Sequence, residues 1–181
     1  MNFSKVLPGD RIIYSEKTGI RRIRVNDVEE MRRMRIIEDD PEVCKFVEDL
    51  QATEEGLRNF AKGSSESVVL GVIQGGEVQG WICLYPDESE RLTRLGLAED
   101  AVEICYAKYP GAPRGLMSSG LRQVIEMIVG ETFTAYTDPD NLNSSRLLEA
   151  VGFKNAGKIK YHPGAKTLDN FWILNNSPLI C

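Results

Sequence analysis

The residues best suited to bind an anion lie in a strand, turn and helix pattern at residues 101–129. Residues 101–109 are typical of a β-strand, a turn rich in Pro and Gly follows, and apolar residues at helical spacing resume at Gly115. The first N–H groups of a helix have no intrahelical acceptors and carry partial positive charge. An anion is favoured at such a junction, so the sequence predicts a site for a phosphate-bearing ligand.

The elements that must position this junction are predicted from periodicity and turn chemistry. Residues 20–25 alternate apolar and charged side chains, as a half-buried strand does. The predicted helix starts are Asn26 or Asp27, Pro41 and Thr53. The apolar side chains at helical spacing are expected to face inward; they are Val28, Met31, Met34, Ile37, Val43, Phe46, Val47, Leu50, Leu57, Phe60 and Ala61.

A β-hairpin is the clearest local pattern, because the β-prone runs 67–73 and 78–85 flank a Gly-Gly turn. The polar segment 86–100 is long for a connection, and it is either a functional lid, a sheet-edge excursion or a plain surface loop. The later predicted elements are a strand at 132–137, a helix at 143–151, and closing strands at 158–161 and 171–174. This order indicates a mixed α/β architecture in which antiparallel and crossover connections coexist.

Two segments resemble motifs of the GNAT superfamily of N-acetyltransferases. PRGLMSSGL at 113–121 resembles the loop that binds the acyl-CoA pyrophosphate, and DPDNLNSSRLLEAVGF at 138–153 is similar to a later motif of the ribosomal-protein-alanine acetyltransferase type. The second segment has these residues at family spacing: Asn141, Ser144, Leu147, Leu148, Gly152 and Phe153. The resemblance covers roughly residues 20–175. It implies the GNAT acyl-CoA N-acyltransferase fold, an α/β (α+β) mixed sheet that is mostly antiparallel and flanked by helices.

The resemblance implies acetyl-CoA as the cosubstrate. The residues expected to bind it are Tyr109, Arg114, Gly115, Leu116, Met117, Ser118, Asn141 and Ser144. A pyrophosphate needs several convergent donors, and the consecutive N–H groups of residues 114–118 can supply them. Asn141 suits either a helix cap or a hydrogen bond to pantetheine, and both interpretations stay open.

The predicted loop departs from the family pattern at Ala112, Pro113 and Met117. Ala112 stands where the family has Arg or Gln, Pro113 lacks an N–H, and Met117 fills a Gly or Ala position. The expected activity is transfer of an acetyl group to a primary amine, on a small molecule or a protein N-terminus. The departures motivate the alternative of a degenerate acyl-CoA-binding or regulatory module without turnover.

The implied reaction is direct attack of a neutral amine on the thioester, which needs a proton acceptor and a proton donor. Glu103 aligns with the carboxylate that is the base in some family members; its alternative role is structural or substrate-orienting. The family's acid position falls on Leu148, so Tyr136 becomes the expected catalytic tyrosine. Tyr106 and Tyr161 are further candidates, and all three tyrosines are alternatively core or rim residues.

The acceptor pocket is expected to include Trp81 and Tyr85 on the second hairpin strand. A core position is the alternative for Trp81. His162 is the only histidine, and it is expected either at the amine site or as an exposed turn residue.

Composition narrows the partners and the compartment. The net charge of -5 argues against non-specific nucleic-acid binding, and the arginines of residues 21–24 and 32–35 are expected on solvated faces rather than in a polyanion site. The cysteines have no metal-binding spacing and suit small hydrophobes in a reducing cytoplasm, so no metal is expected. No run predicts a signal peptide or a membrane span. A cytoplasmic monomer or homodimer is expected, with an extension at 1–19 that packs as an extra strand or arm and one domain at 20–181.

Overall fold

The computed structural model describes residues 13–15, 18–46, 53–64, 66–87, 92–93, 101–161 and 167–176. Its helices are α1 (Val28–Glu38), α2 (Pro41–Cys44), α3 (Glu54–Lys62), α4 (Leu116–Met127) and α5 (Leu142–Val151). Its strands are β1 (Ile13–Ser15), β2 (Thr18–Arg22), β3 (Val68–Gln74), β4 (Glu77–Pro86), β5 (Val102–Lys108), β6 (Thr132–Thr137), β7 (Lys154–Ile159) and β8 (Asp169–Asn175). The mixed α/β class and the predicted order of elements are confirmed.

One sheet runs through the described part of the chain in the order β1-β2-β3-β4-β5-β6-β8-β7. Neighbouring strands are antiparallel except β5 and β6, which are parallel. The parallel step follows from the crossover through α4, because a strand, helix and strand unit returns the chain in the same direction. The predicted Gly-Gly hairpin joins β3 to β4, and Gly75 and Gly76 have φ of 61° and 86°, as a tight hairpin turn requires.

Polar side chains begin the first helices where the sequence predicts them. Asp27 accepts hydrogen bonds from the N–H groups of Glu29 and Glu30 at the start of α1. Asp40 caps α2 ahead of Pro41, and Thr53 caps α3. Helix α4 differs, because its N-cap is Gly115 and no side chain caps it. The first N–H groups of α4 are therefore left without a side-chain acceptor.

The sheet is covered on both faces. Helices α4 and α5 pack on one face, in a core that includes Leu70, Ile82 and Phe133. Helices α1 and α3 cover the other face, in a core that includes Met34 and Trp81. Successive residues of β5 point alternately to the two faces, as in any strand. This alternation puts Val102, Ile104 and Tyr106 on the α4 and α5 face, and Glu103, Cys105 and Ala107 on the α1 and α3 face.

Several predictions of detail are wrong. Val28 was expected inside but is 77% exposed, whereas Glu30 in the same turn of α1 is buried against Arg21 of β2. The first closing strand begins at Lys154 and ends at Ile159, whereas the sequence predicts it at 158–161. Cys44 is exposed, whereas Cys83 is buried and Cys105 is half-buried. Phe46 and Val43 lie half-buried, and Val47 and Leu50 fall outside the described residues.

Two arginines that the sequence assigns to solvated faces are buried instead. Arg21 is 2% exposed and donates two hydrogen bonds to the Glu30 carboxylate, at 2.8 and 2.5 Å. The backbone N–H of Arg24 donates a third bond to Glu30, at 2.8 Å. Arg33 is also buried; its guanidinium donates to the Val78 carbonyl at 2.6 Å and pairs with Glu77 at 3.0 Å. These pairs tie α1 to the sheet, because a buried charge is tolerated only when it is paired.

We predict that Glu30→Gln destabilises the protein by about 3 kcal/mol, because the buried Arg21 guanidinium loses its counter-charge. Glu29→Gln is the matched control, since Glu29 sits one residue earlier and pairs with Arg32 at the exposed surface. Urea unfolding of both variants measures the difference. Equal midpoints for the two variants would contradict a structural role for the buried pair.

Candidate active site

The sheet splits between its two parallel strands. Strands β5 and β6 pair only at Val102 with Phe133 and at Glu103 with Thr134. Both strands continue beyond these pairs, to Lys108 and Thr137, without further pairing to each other. The strands therefore diverge and leave a wedge whose apex lies at Glu103 and Thr134. Backbone groups that face such an opening need other partners, and a ligand can supply them.

The loop before α4 lies at the wide end of this wedge. Gly115 has a φ of 81°, a conformation that favours glycine, and the space where its Cβ would lie is empty to 4 Å. The Leu116 N–H donates to the Pro113 carbonyl at 3.3 Å. Among the described residues we find no acceptor for the N–H groups of Arg114, Gly115, Met117 and Ser118. The predicted anion site is thus a set of open donors around an accessible glycine.

Met117 is accommodated by a glycine on the neighbouring strand. A Cβ on Gly80 would lie 2.7 Å from the Met117 sulfur and 2.8 Å from the Ala107 carbonyl. The side chain that departs from the family pattern is therefore buried in a space that Gly80 leaves free. Ala112 is buried as well, whereas Pro113 and Arg114 are exposed.

Tyr109, a predicted cofactor residue, is fixed at the start of the loop. Its N–H donates to the Gln79 carbonyl at 2.7 Å, and its carbonyl accepts from the Ala112 N–H at 2.9 Å. The Arg33 guanidinium lies 4.3 Å from the centre of the Tyr109 ring, a favourable cation–π distance. Helix α1 thereby supports the position of the loop.

Glu103, the predicted base, is 4% exposed and receives two tyrosyl hydrogen bonds. Tyr85 lies directly opposite on β4 and donates to Oε1 at 2.7 Å. Tyr161, which follows β7, donates to the same oxygen at 2.9 Å. The two hydroxyl oxygens are 3.2 Å apart. Both donors stabilise the ionised carboxylate, which is the form a general base needs.

Titration of these neighbours is suppressed by their surroundings. Burial, and then the charge of Glu103, raises the pKa of Tyr85 well above its ordinary value. Burial also raises the pKa of the Cys83 thiol to about 12, and burial with the nearby Cys83 and Glu103 raises the pKa of Cys105. At neutral pH, the Tyr85 hydroxyl therefore keeps its proton and can donate a hydrogen bond, and the thiols of Cys83 and Cys105 are protonated.

A second buried carboxylate, Asp87, lies beside the apex. It is 5% exposed, and its Oδ2 accepts hydrogen bonds from Thr134 at 2.7 Å and from Tyr136 at 2.6 Å. Asp87 is not among the residues that the sequence predicts at the site, because residues 86–100 form one polar stretch. The sequence feature that could have indicated Asp87 is its position as an acidic residue directly after the second hairpin strand, β4. Tyr136 also contacts two rings, Tyr161 at 5.0 Å and Phe171 at 5.2 Å between centroids.

The start of α5 faces the wedge from the opposite side of the sheet. Asn141 caps the helix by accepting from the Ser144 N–H at 3.1 Å, which confirms the capping interpretation. The hydroxyls of Ser144 and Tyr106 share a hydrogen bond of 2.5 Å. Burial raises the pKa of Tyr106 well above its ordinary value, and the bond to Ser144 opposes this effect. Leu148, at the family's acid position, is buried in the core.

The residues predicted to line the acceptor pocket do not all lie at the site. Trp81 is buried, with its ring edge-on to Phe60 at 5.2 Å, as the core alternative predicts. Its indole N–H has no acceptor among the described residues. Tyr85 is half-buried at the apex, and His162 lies outside the described residues.

The described residues include no group of three or more His, Cys, Asp or Glu that could hold a metal ion, and none of the described helices could cross a bilayer.

The family model described as an acetyltransferase (GNAT) domain matches residues 17–154. The chain belongs to the GNAT acetyltransferase family and is an enzyme of that family. No curated protein sequence matches it significantly.

Solved structures with a similar fold cover most of the chain. A GNAT-family acetyltransferase from Bacillus anthracis matches with a TM-score of 0.69 and 22% identity, over 92% of this chain and 99% of its own. An acetyltransferase from Salmonella typhimurium that modifies the N-terminal serine of a 50S ribosomal protein matches with a TM-score of 0.69 and 16% identity, over 91% of this chain and 99% of its own. AAC(6')-Ib, solved with paromomycin and acetyl-CoA, matches with a TM-score of 0.67 and 13% identity, over 88% and 94%. The TM-scores show similarity of fold, and identities this low show the fold alone.

We predict that Gly115→Ala weakens acetyl-CoA binding about tenfold or more, because its Cβ would project into the open space above the loop. Gly130→Ala is the matched control, since Gly130 has a φ of 91°, equally open space, and a place beyond the far end of α4. Both changes strain the backbone and are expected to cost about 1 kcal/mol of stability. Isothermal titration calorimetry with acetyl-CoA should separate them. Unchanged affinity in Gly115→Ala would mean that the loop is not the binding site.

Proposed function

We propose that the protein transfers the acetyl group of acetyl-CoA to a primary amine by direct attack. The observation that carries this proposal is the position of Glu103, a buried carboxylate at the apex of the wedge between β5 and β6. A base at this point lies where an amine from the α1 and α3 face can meet a thioester that enters from the loop side. The hydroxyls of Tyr85 and Tyr161 donate to this carboxylate and fix its orientation for accepting the amine proton.

The residues present fit acetyl-CoA. The open N–H groups at the start of α4 suit its pyrophosphate, and the unpaired edges of β5 and β6 suit the amide groups of its pantetheine arm. Bound there, acetyl-CoA would supply the activated acyl group. Arg114 is exposed beside the loop and can add the positive charge that Ala112 lacks. The Asn141 side-chain amide has its oxygen in the cap, which leaves its N–H₂ group for the ligand.

Two groups on opposite faces of the sheet face the atoms that exchange protons in the transfer. In the transfer, a C–N bond forms, the C–S bond breaks, and one amine proton passes to Glu103, directly or through water. The leaving sulfur needs a proton on the α5 side, where the half-buried Ser144 hydroxyl is oriented by Tyr106. We therefore assign the role of base to Glu103. The Ser144 hydroxyl donates a hydrogen bond to the leaving sulfur, and water supplies the proton that the sulfur takes up, because an alkyl hydroxyl is too weak an acid to protonate a thiolate itself. The Tyr136 hydroxyl is engaged with Asp87, so a role in holding the site suits it better than proton donation.

A covalent acetyl-cysteine route is disfavoured by the same geometry. Cys83 and Cys105 are the thiols on the face of Glu103, and burial keeps both protonated. A protonated thiol is a poor nucleophile. Direct transfer to the amine needs no such intermediate.

The acceptor class stays open among cationic amines. Two fold relatives set the range: the Salmonella enzyme modifies an N-terminal serine of a ribosomal protein, and AAC(6')-Ib was solved with an aminoglycoside. A protein with a net charge of -5 suits a cationic acceptor such as a polyamine, an aminoglycoside or a protein N-terminus.

The deciding experiment combines acetyl-CoA titration with a thiol-release assay over spermidine, kanamycin and a peptide with a free N-terminal serine. Binding together with acceptor-dependent release supports the proposed function. Binding without release on any amine would favour the module without turnover that Ala112 and Pro113 motivate. An absence of binding would exclude both functions.

We predict that Glu103→Gln lowers kcat by about 100-fold or more near pH 7, because the amide cannot accept the amine proton. The affinity for acetyl-CoA should stay within about twofold, since the loop is unchanged. Glu126→Gln, the same change at an exposed position of α4, is the control and should keep full activity. An unchanged kcat in Glu103→Gln would remove this residue from the mechanism.

We predict that iodoacetamide at pH 8 modifies the exposed Cys44 and leaves Cys83 and Cys105 intact in the folded protein. Their raised pKa values keep the thiols protonated at that pH, and burial limits access. Peptide mass spectrometry gives the extent of modification at each site, with the urea-unfolded protein as the reference. Rapid modification of Cys105 together with loss of turnover would revive the covalent route.

A further inference from the structure

Asp87 connects two strands that are not neighbours in the sheet. It lies one residue beyond β4, and its N–H donates to the Ala101 carbonyl at 2.9 Å. Its side chain reaches across β5 to β6, where it accepts from the hydroxyls of Thr134 and Tyr136. All of these groups lie beside the apex of the wedge. The carboxylate thus fixes β6 from the far side of the strand that carries Glu103.

This connection matters because the direct pairing of β5 with β6 is so short. Thr134 is the residue of β6 paired with Glu103, and the pairing ends there. A two-residue parallel ladder gives few bonds to hold the strands in register. Hydrogen bonds that a carboxylate accepts are charge-assisted and stronger than bonds between neutral groups. Asp87 therefore supplies a restraint that the backbone lacks at this point.

A chain of contacts also joins the two carboxylates. Tyr136 donates to Asp87 at 2.6 Å, its ring lies 5.0 Å from the Tyr161 ring, and Tyr161 donates to Glu103 at 2.9 Å. The edge-on geometry of the two rings, with an interplanar angle of 65°, is a favoured aromatic arrangement. A shift of the Tyr136 ring would displace the Tyr161 ring that packs against it, and with it the Tyr161 hydroxyl that donates to Glu103.

We propose that Asp87 is a positioning residue of acetyl transfer, which acts through Thr134 and Tyr136 to hold the wedge and the Tyr161 bond to Glu103. This inference rests on the proposed function for its catalytic consequence. Small errors in the placement of a reacting group cost large factors in rate. Loss of the restraint should therefore lower kcat.

The first arm of the test needs no ligand. Hydrogen–deuterium exchange on the free protein should show faster exchange in peptides from β5 and β6 for Asp87→Asn. The double variant Thr134→Val with Tyr136→Phe removes the same bonds from the other side and should reproduce this pattern, which covers a failure of Asp87→Asn to fold. Thr132→Val is the matched control on β6, since it removes only a surface hydrogen bond to Asn175. Unchanged exchange at β5 and β6 in the double variant would overturn the restraint.

The second arm measures turnover on the best amine of the panel. Asp87→Asn and Tyr136→Phe should each lower kcat about tenfold, and the combined variant should lose little more than either one, because both changes break the same contact. Thr132→Val should keep the kcat of the wild type. The positioning role would be overturned if the kcat losses of Asp87→Asn and Tyr136→Phe multiplied in the combined variant. It would also be overturned if these variants exchanged faster at β5 and β6 but kept the kcat of the wild type. A wild type that binds acetyl-CoA but acetylates no amine would defeat the proposed function and this catalytic role, while the exchange arm still decides the restraint.

Discussion

The rest of the site depends on the short parallel pairing between β5 and β6. Two strands of a sheet normally satisfy each other's backbone groups along their whole shared length. Here the pairing covers two residues on each strand and then stops, although both strands continue. The divergence opens a passage between the two faces of the sheet. A ligand on the α4 and α5 face can therefore meet a partner on the α1 and α3 face within this opening, beside Glu103.

Two carboxylates, Glu103 and Asp87, are buried where β5 and β6 begin to diverge. Glu103 and Asp87 would each be costly to bury as isolated charges. Tyrosyl and threonyl hydroxyls offset that cost through Tyr85 and Tyr161 on one carboxylate and Thr134 and Tyr136 on the other. The same bonds that make burial tolerable fix the orientation of Glu103 and of the strand opposite it. Stability and preorganisation of the site thus come from one set of contacts.

Local chemistry explains what could be predicted from the sequence. The caps at Asp27 and Thr53, the Gly-Gly hairpin and the glycine before α4 follow from rules that operate over a few residues, and the position of Glu103 on its strand follows from the family motif. The partners of Glu103 could not be predicted in this way, because Tyr161 is 58 residues away and meets the base only through the order of strands. Asp87 was not predicted because residues 86–100 form one polar stretch. Arg21 and Arg33 were placed in solvent because a charged side chain in a strand or helix carries no sign of its distant partner.

A crystal structure of the complex with acetyl-CoA would test the account most directly. The account predicts the pyrophosphate on the N–H groups of residues 114–118, the pantetheine arm between β5 and β6, and the thioester carbonyl beside the apex, with Glu103 on one side and Ser144 on the other. Acetyl-CoA bound elsewhere, or a thioester out of reach of Glu103 with the wedge empty, would contradict it.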